Sequence, residues 1–350
     1  MFSAAYQAGP AAPSRRFPAR YEAALAICSD LDETPDADTY FELMRFLNTS
    51  EETSMGPGVG LEVGNSIYFD MPPGHFSYWN TDDQGREKIR ALIKSGHIDV
   101  LHSYGDLAAT RTHAARALEE LERNDCHLRV WVDHSKAPTN FGADIMMGHG
   151  DEPGHPAYHA DLTFAHGIEY VWVGRVTSVI GQNQKVSFQA IGDWGHPIAS
   201  AKTIAKEAGK QLMGRCGSRK YGMHASNRLT RPVRLRDNLT NTVEFIRCNP
   251  HWDGVSSADT GRGISEVLSA QFLRQLSDRG GVCILYTHLG KLNAGMRRFD
   301  TAAVKAFRRL AEYYHSGKIL VTTTYRLLDL CARGSAGPSA AWQRLPFPAI

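Results

Sequence analysis

The stretch HIDVLHSYGD, residues 97–106, decides how the chain folds. Ile98 to Leu101 is a short apolar run, long enough for one buried strand. It ends in His102 and, four residues later, Asp106. A segment rich in Ala, Leu, Glu and Arg follows from about Thr110 to Arg123, with helical composition. A strand that delivers polar groups at its C-terminal end and then feeds a helix is the site-bearing unit of a β/α barrel. His97 and Asp99 fall at the other end of this strand and belong to the scaffold.

The same unit recurs outward from that stretch. Upstream, Ala23–Ser29 (AALAICS) reads as a buried strand and runs into Asp30-Leu31-Asp32. Asp38–Asn48 has helical spacing, Leu61–Phe69 reads as a strand, and Asp82–Lys94 as a helix closed by Gly96. Downstream, strands are expected at Leu128–Val132, Ile168–Val173, Val243–Cys248, Val282–Tyr286 and Ile319–Thr323. Helices are expected at Ile264–Ser277, Thr301–His315 and Tyr325–Cys331. Near-continuous apolar strands alternating with helices indicate a parallel sheet covered on both faces. The expected fold is α/β, a distorted TIM-like (β/α)7-8 barrel with an insertion after the fifth strand, at about 174–241. The barrel should span residues 21–333. Residues 1–20 read as a disordered arm, and 334–350 as a weakly ordered tail, both rich in Ala, Pro and Ser.

Composition narrows the class. The chain is 42% hydrophobic and 22% charged, with a net charge of +2. That balance leaves no basic footprint for nucleic acid. A basic cluster, Arg228, Arg231, Arg234 and Arg236, is either a solvated face or a seat for an anionic substrate group. No run of about 20 apolar residues exists for a membrane span. The six cysteines stand singly with no C-x-x-C pair, which points to reduced thiols and a cytoplasmic protein. The sequence leaves the oligomeric state unknown.

Polar residues follow the ends of several strands: Asp30 and Asp32, His102 and Asp106, Asp133 and His134, His251 and Asp253, and His288. A barrel gathers such ends onto one face. Asp30 and Asp32 can divide the roles of base and metal ligand, or Asp32 can cap the next helix. His102 and Asp106 suit a divalent cation, or else a core hydrogen bond and a helix cap. His134, His159, His251 and Asp253 are additional candidates. His288 has the ordinary pKa range of a general acid. Tyr104 and Trp252 are candidate stacking faces for a sugar, along with Tyr78 and Trp79. The His-rich loop 149–159 is a candidate lid.

Three of these pieces, Ser29-Asp30-Leu31-Asp32, His102-Ser103-Tyr104-Gly105-Asp106 and Leu285-Tyr286-Thr287-His288, stand in one order. Together they resemble the motifs of the polysaccharide deacetylase (NodB-homology) family, within the glycoside hydrolase/deacetylase barrel superfamily. The resemblance implies that Asp30 is the general base, that Asp32, His102 and Asp106 hold the metal, and that His288 is the general acid. The chain departs from the family pattern in three places. Leu31 separates the two aspartates, Asp106 stands where a second histidine is commoner, and Asp133-His134 occupies the region of the arginine-bearing third motif. Arg129 and Arg247 are candidates for that arginine. The implied activity is metal-dependent removal of acetyl groups from an N- or O-acetylated sugar or glycan, with zinc, or else cobalt, nickel or manganese. The alternatives are a metal-free glycoside hydrolase using Asp30 with Asp253 or Asp133, and a non-catalytic carbohydrate-binding barrel.

Overall fold

The computed structural model describes residues 17–18, 21–31, 33–189, 191–254, 257–333 and 342–350. Most of the expected arm, part of the expected tail and Asp32 lie outside the described residues. The elements follow the apolar runs closely. β1 is Ala23–Ser29, followed by a small hairpin of β2, Glu52–Thr53, and β3, Gly56–Pro57. Then come β4, Gly64–Ile67, β5, Ile98–His102, β6, Val130–Val132, and β7, Tyr170–Trp172. β8 is Val176–Thr177, β9 is Thr230–Arg234, β10 is Asn241–Phe245 and β11 is Arg247–Cys248. β12, Val282–Thr287, and β13, Ile319–Thr322, complete the set.

Every residue of β1 and of β5 is buried, as a strand covered on both faces requires. The helices begin where short acceptors meet free N–H groups. Asp36 accepts from Thr39 N, Asp82 from Gly85 N and Asp300 from Ala303 N. The expected single helix from Ile264 to Ser277 is two, Ile264–Val267 and Ala270–Arg279. Ser269 interrupts it by accepting from Phe272 N and capping the second piece.

Eleven strands form one sheet; ten follow the order β8-β11-β12-β1-β4-β5-β6-β7-β10-β9, and β13 pairs with β1 off that path. All pairings are parallel except β9 with β10. The sheet curls into a half-barrel. Alternate residues divide between two apolar clusters on its two faces. Val100, Val130, Val132, Tyr170 and Trp172 face one way, and Leu101, Trp131 and Val171 the other. The insertion is woven into the sheet rather than set apart, because it supplies β8 and β9. Its long helix, Pro197–Arg215, docks through buried Glu207, whose carboxylate accepts from Thr177 Oγ1 at 2.9 Å and meets Lys210 at 2.6 Å.

The last described stretch packs on the half-barrel. Leu345 N donates to the fully buried Glu62, Arg326 lies 3.9 Å from the Trp342 ring, and Phe347 meets His97 edge-on. Among the described residues no disulfide forms. Among the described residues no helix is long and apolar enough to cross a membrane.

Candidate active site

Parallel pairing sets the C-terminal strand ends side by side. Ser29 is level with Thr287, and His102 with Val132. The residues just past these levels are Asp30, His288 and Asp133-His134. They line one pocket of about 460 Å³, together with His102, Asp259, Arg262, Tyr286 and Lys291.

Asp30 is 1% exposed and held by a fork. Arg247 donates Nη1 to its Oδ2 at 2.8 Å and Nη2 to its Oδ1 at 3.1 Å. The guanidinium is itself fully buried between Trp172 and Tyr286, 4.5 and 5.1 Å from their ring centres. Burial alone would raise the Asp30 carboxyl, but the Arg247 charge, followed by His102, more than offsets it and holds the group far below the usual carboxylate range. Of the two arginines considered for the third motif, Arg247 is the one at the site. Arg129 pairs with Glu169 on the surface.

The histidines form a connected row. His102 Nδ1 lies 3.1 Å from Ser66 Oγ and 3.6 Å from Asp30 Oδ1. Tyr68 stacks on His102 at 4.3 Å, and its hydroxyl reaches both His102 Nε2 at 3.4 Å and His134 Nδ1 at 2.8 Å. Asp106 Oδ1 lies 2.7 Å from the far nitrogen of His134. Asp106 therefore supports His134 rather than standing beside His102, as its spacing had suggested. The backbone explains this turn. Ser103, Tyr104 and Gly105 all take positive φ, at 45, 66 and 114°. Consecutive left-handed residues are sterically costly and cluster at functional sites.

On the opposite side, Asp259 Oδ2 lies 3.5 Å from His288 Nδ1, and His288 N donates to Asp259 O at 2.6 Å. This arrangement fixes the ring with one nitrogen toward a carboxylate. Asp133 has both carboxylate oxygens engaged: Oδ1 accepts from Trp131 Nε1 and Phe141 N, and Oδ2 from Gly142 N. Burial pushes its pKa up to about 7.

No protein-family model and no curated protein matches this chain.

The remaining sequence candidates fall elsewhere. Tyr104 is fully buried, with its hydroxyl on Thr163 at 2.7 Å, so no face of it is open to a sugar. His159 is equally enclosed, bonded to Thr163 and to the Thr139 carbonyl; burial lowers its pKa to about 4, which makes it a neutral scaffold residue. His251 and Trp252 border a different pocket, of about 540 Å³. There His251 pairs with Glu266 at 2.9 Å and Trp252 stacks on His196 at 3.7 Å. Asp253 is exposed and lines neither pocket. Sequence reasoning missed Tyr68, Ser66 and Asp259. Only the position of Tyr68, at the end of a buried strand, could have marked it.

The donor chemistry of the row suits a divalent cation, since imidazole nitrogen and carboxylate oxygen are its usual protein ligands. Among the described residues no group of three or more His, Cys, Asp or Glu side chains is arranged to hold one. Asp32, the third donor named from the sequence, is outside the described residues.

Proposed function

We propose that this chain is a metal-dependent hydrolase that removes acetyl groups from an N- or O-acetylated sugar or glycan, as its resemblance to the polysaccharide deacetylase family implies. The observation that carries this reading is Asp30, forked by Arg247 and lining a pocket that also receives His102, His134 and His288 from three other strand ends. The forked guanidinium keeps Asp30 ionised at neutral pH, and an ionised carboxylate facing a pocket can act as a general base. Asp30 would take a proton from water as its oxygen bonds to the acetyl carbonyl carbon. His288, oriented by Asp259, would then give a proton to the leaving amine or hydroxyl as the acyl bond breaks.

His102, His134 and Asp32 would hold the cation, with Asp106 orienting His134 from its far nitrogen. When bound, a zinc, cobalt, nickel or manganese ion polarises both water and the acyl group. The fold supports the same reading. Val243 pairs with Tyr170 and Cys248 with Leu285, so the stretch 241–248 would carry the curled sheet from β7 to β12 and close it into a ring.

The test is metal content together with acetate release from N-acetylated sugars. Bound divalent metal, loss of turnover in chelator, and a fall of about 10²–10⁴ in rate for Asp30→Asn are expected. A protein that binds no divalent metal, with Asp32→Ala and His102→Ala behaving like the wild type, refutes the proposal. Glycosidic cleavage that survives chelator favours the two-carboxylate mechanism. Glycan binding without turnover favours a non-catalytic barrel.

A further inference from the structure

A further concavity lies beside the candidate active site. It measures about 460 Å³, and its apolar floor includes Val171, Val173, Val233 and Leu235. Its walls carry cations in two tiers. The inner tier is neutralised. Arg175 forks Asp144 at 2.7 and 2.9 Å and meets Glu244 at 3.1 Å. Arg231 takes the other Glu244 oxygen at 2.6 Å, and Arg236 grips the buried Asp151. These pairs make a stiff frame.

The outer tier is Arg219, Lys220 and Arg234. Among the described residues none of the three forms an ion pair with a carboxylate. Lys220 lies 5.6 Å from the Tyr221 ring centre, and Arg234 donates to the Asn238 carbonyl. Lys220 is within electrostatic reach of Asp144 and Arg234 of Asp237, but the lining carries six cationic side chains against three carboxylates, and an excess of cations on a concave, low-dielectric wall focuses a positive potential. Guanidinium groups match tetrahedral oxyanions through paired N–H donors. The apolar floor offers a seat for the body that carries the anion. The basic cluster read from the sequence thus lies partly in this concavity: Arg231 and Arg236 brace the frame, and Arg234 is on the rim.

We propose that this concavity binds a phosphate-class oxyanion through Arg219, Lys220 and Arg234, independently of the hydrolase reading. Its wall is shared with the candidate active site, since Phe141 and Gly142 line it and donate their N–H groups to Asp133.

The test is calorimetric titration of the full chain at low salt with inorganic phosphate, with glucose 6-phosphate, and with glucose. Saturable binding of at least one phosphate species in the millimolar range or tighter is expected, weakening as salt rises. Arg219→Ala/Arg234→Ala should weaken it about tenfold or more, while Arg228→Ala, exposed and outside the concavity, should leave it unchanged. Tighter binding of the sugar phosphate identifies a phosphoryl group on a sugar as the ligand; equal affinities identify phosphate itself. No saturable binding by either, equal binding of neutral glucose, or undiminished binding by the double variant overturns the proposal. The substituted side chains are on the rim, so a thermal melt matching the wild type checks that the fold is intact.

Discussion

Replacing Arg247 with Met removes the cation that forks Asp30. The two side chains are 0% and 2% exposed, so solvent does not screen their interaction. Breaking a buried pair by removing one partner typically costs about 3–5 kcal/mol, because the other charge stays buried. That range is expected for Arg247→Met at pH 8. The pH dependence gives the sharper check. In the wild type the Asp30 carboxyl is held below its unfolded value of about 3.9. It therefore contributes stability that is present above that value and lost as pH falls toward the folded pKa. Without Arg247, burial leaves the carboxyl above its unfolded value, and the variant loses stability as pH rises from about 4. The gap between wild type and variant should therefore widen from pH 5 to pH 8 in urea unfolding followed by circular dichroism. Adding Asp30→Asn should recover a large share of the loss, giving a coupling energy of about 2 kcal/mol or more. A gap below about 1 kcal/mol at pH 8, a gap independent of pH, or simple additivity would refute the reasoning.

Tyr68→Phe deletes the hydroxyl that links His102 to His134; it should cost about 1 kcal/mol in unfolding free energy and, on the proposed deacetylase reading, lower acetate release about 10–100-fold. Gly105→Ala should destabilise by about 2 kcal/mol or more in a thermal or urea melt, because φ is 114° there and a Cβ would meet Asp70 O at 2.4 Å. Asp99 is buried, its pKa is pushed up to about 7 by burial, and its Oδ2 accepts from Tyr325 N. A raised carboxyl binds its proton more tightly in the folded state, so this group makes stability fall between about pH 4 and pH 7, by up to about 4 kcal/mol. Asp99→Asn should flatten the stability profile across that interval, and an unchanged profile would count against the assignment.

The strands and helices were legible because burial on both faces writes itself as short apolar runs. AALAICS, IDVL and VCILY need no tertiary information to be read as buried strands. Asp30, His102, His134 and His288 converge for the same reason, since a parallel sheet brings every strand's C-terminal end to one edge. The partners were harder to find. Asp259 sits in the polar stretch Ser257-Ala258-Asp259-Thr260, where nothing distinguishes a histidine's support from an ordinary loop residue. Tyr68 precedes Phe69 in a run where either ring could be core. Tyr104 and Trp252 show the converse, because an aromatic residue near a strand end has the same sequence signature whether enclosed or open. The path of Asp106 to His134 depends on three successive left-handed residues, of which only Gly105 announces that conformation. The insertion's helix was legible over Ile198–Leu212, but its place in the fold was not, because it docks through buried polar groups, Glu207 among them, instead of a continuous apolar stripe.

Arg247 carried a signal that outweighs its single letter. In Val243-Glu244-Phe245-Ile246-Arg247-Cys248 a charge interrupts an apolar strand, and a charge so placed must be paired. Folding alone gives little reason for the pair it makes. Well-packed apolar side chains in place of a buried ion pair are often neutral or stabilising. The chain nonetheless spends the interior space between Trp172 and Tyr286 on a guanidinium whose two forked hydrogen bonds both go to Asp30. The result that apolar packing would not give is a carboxylate kept ionised while almost completely out of water, facing a pocket shared with three histidines. On the proposed hydrolase reading, this charged carboxylate is the group that accepts the proton. The arginine is thus better understood through the pocket than through the core.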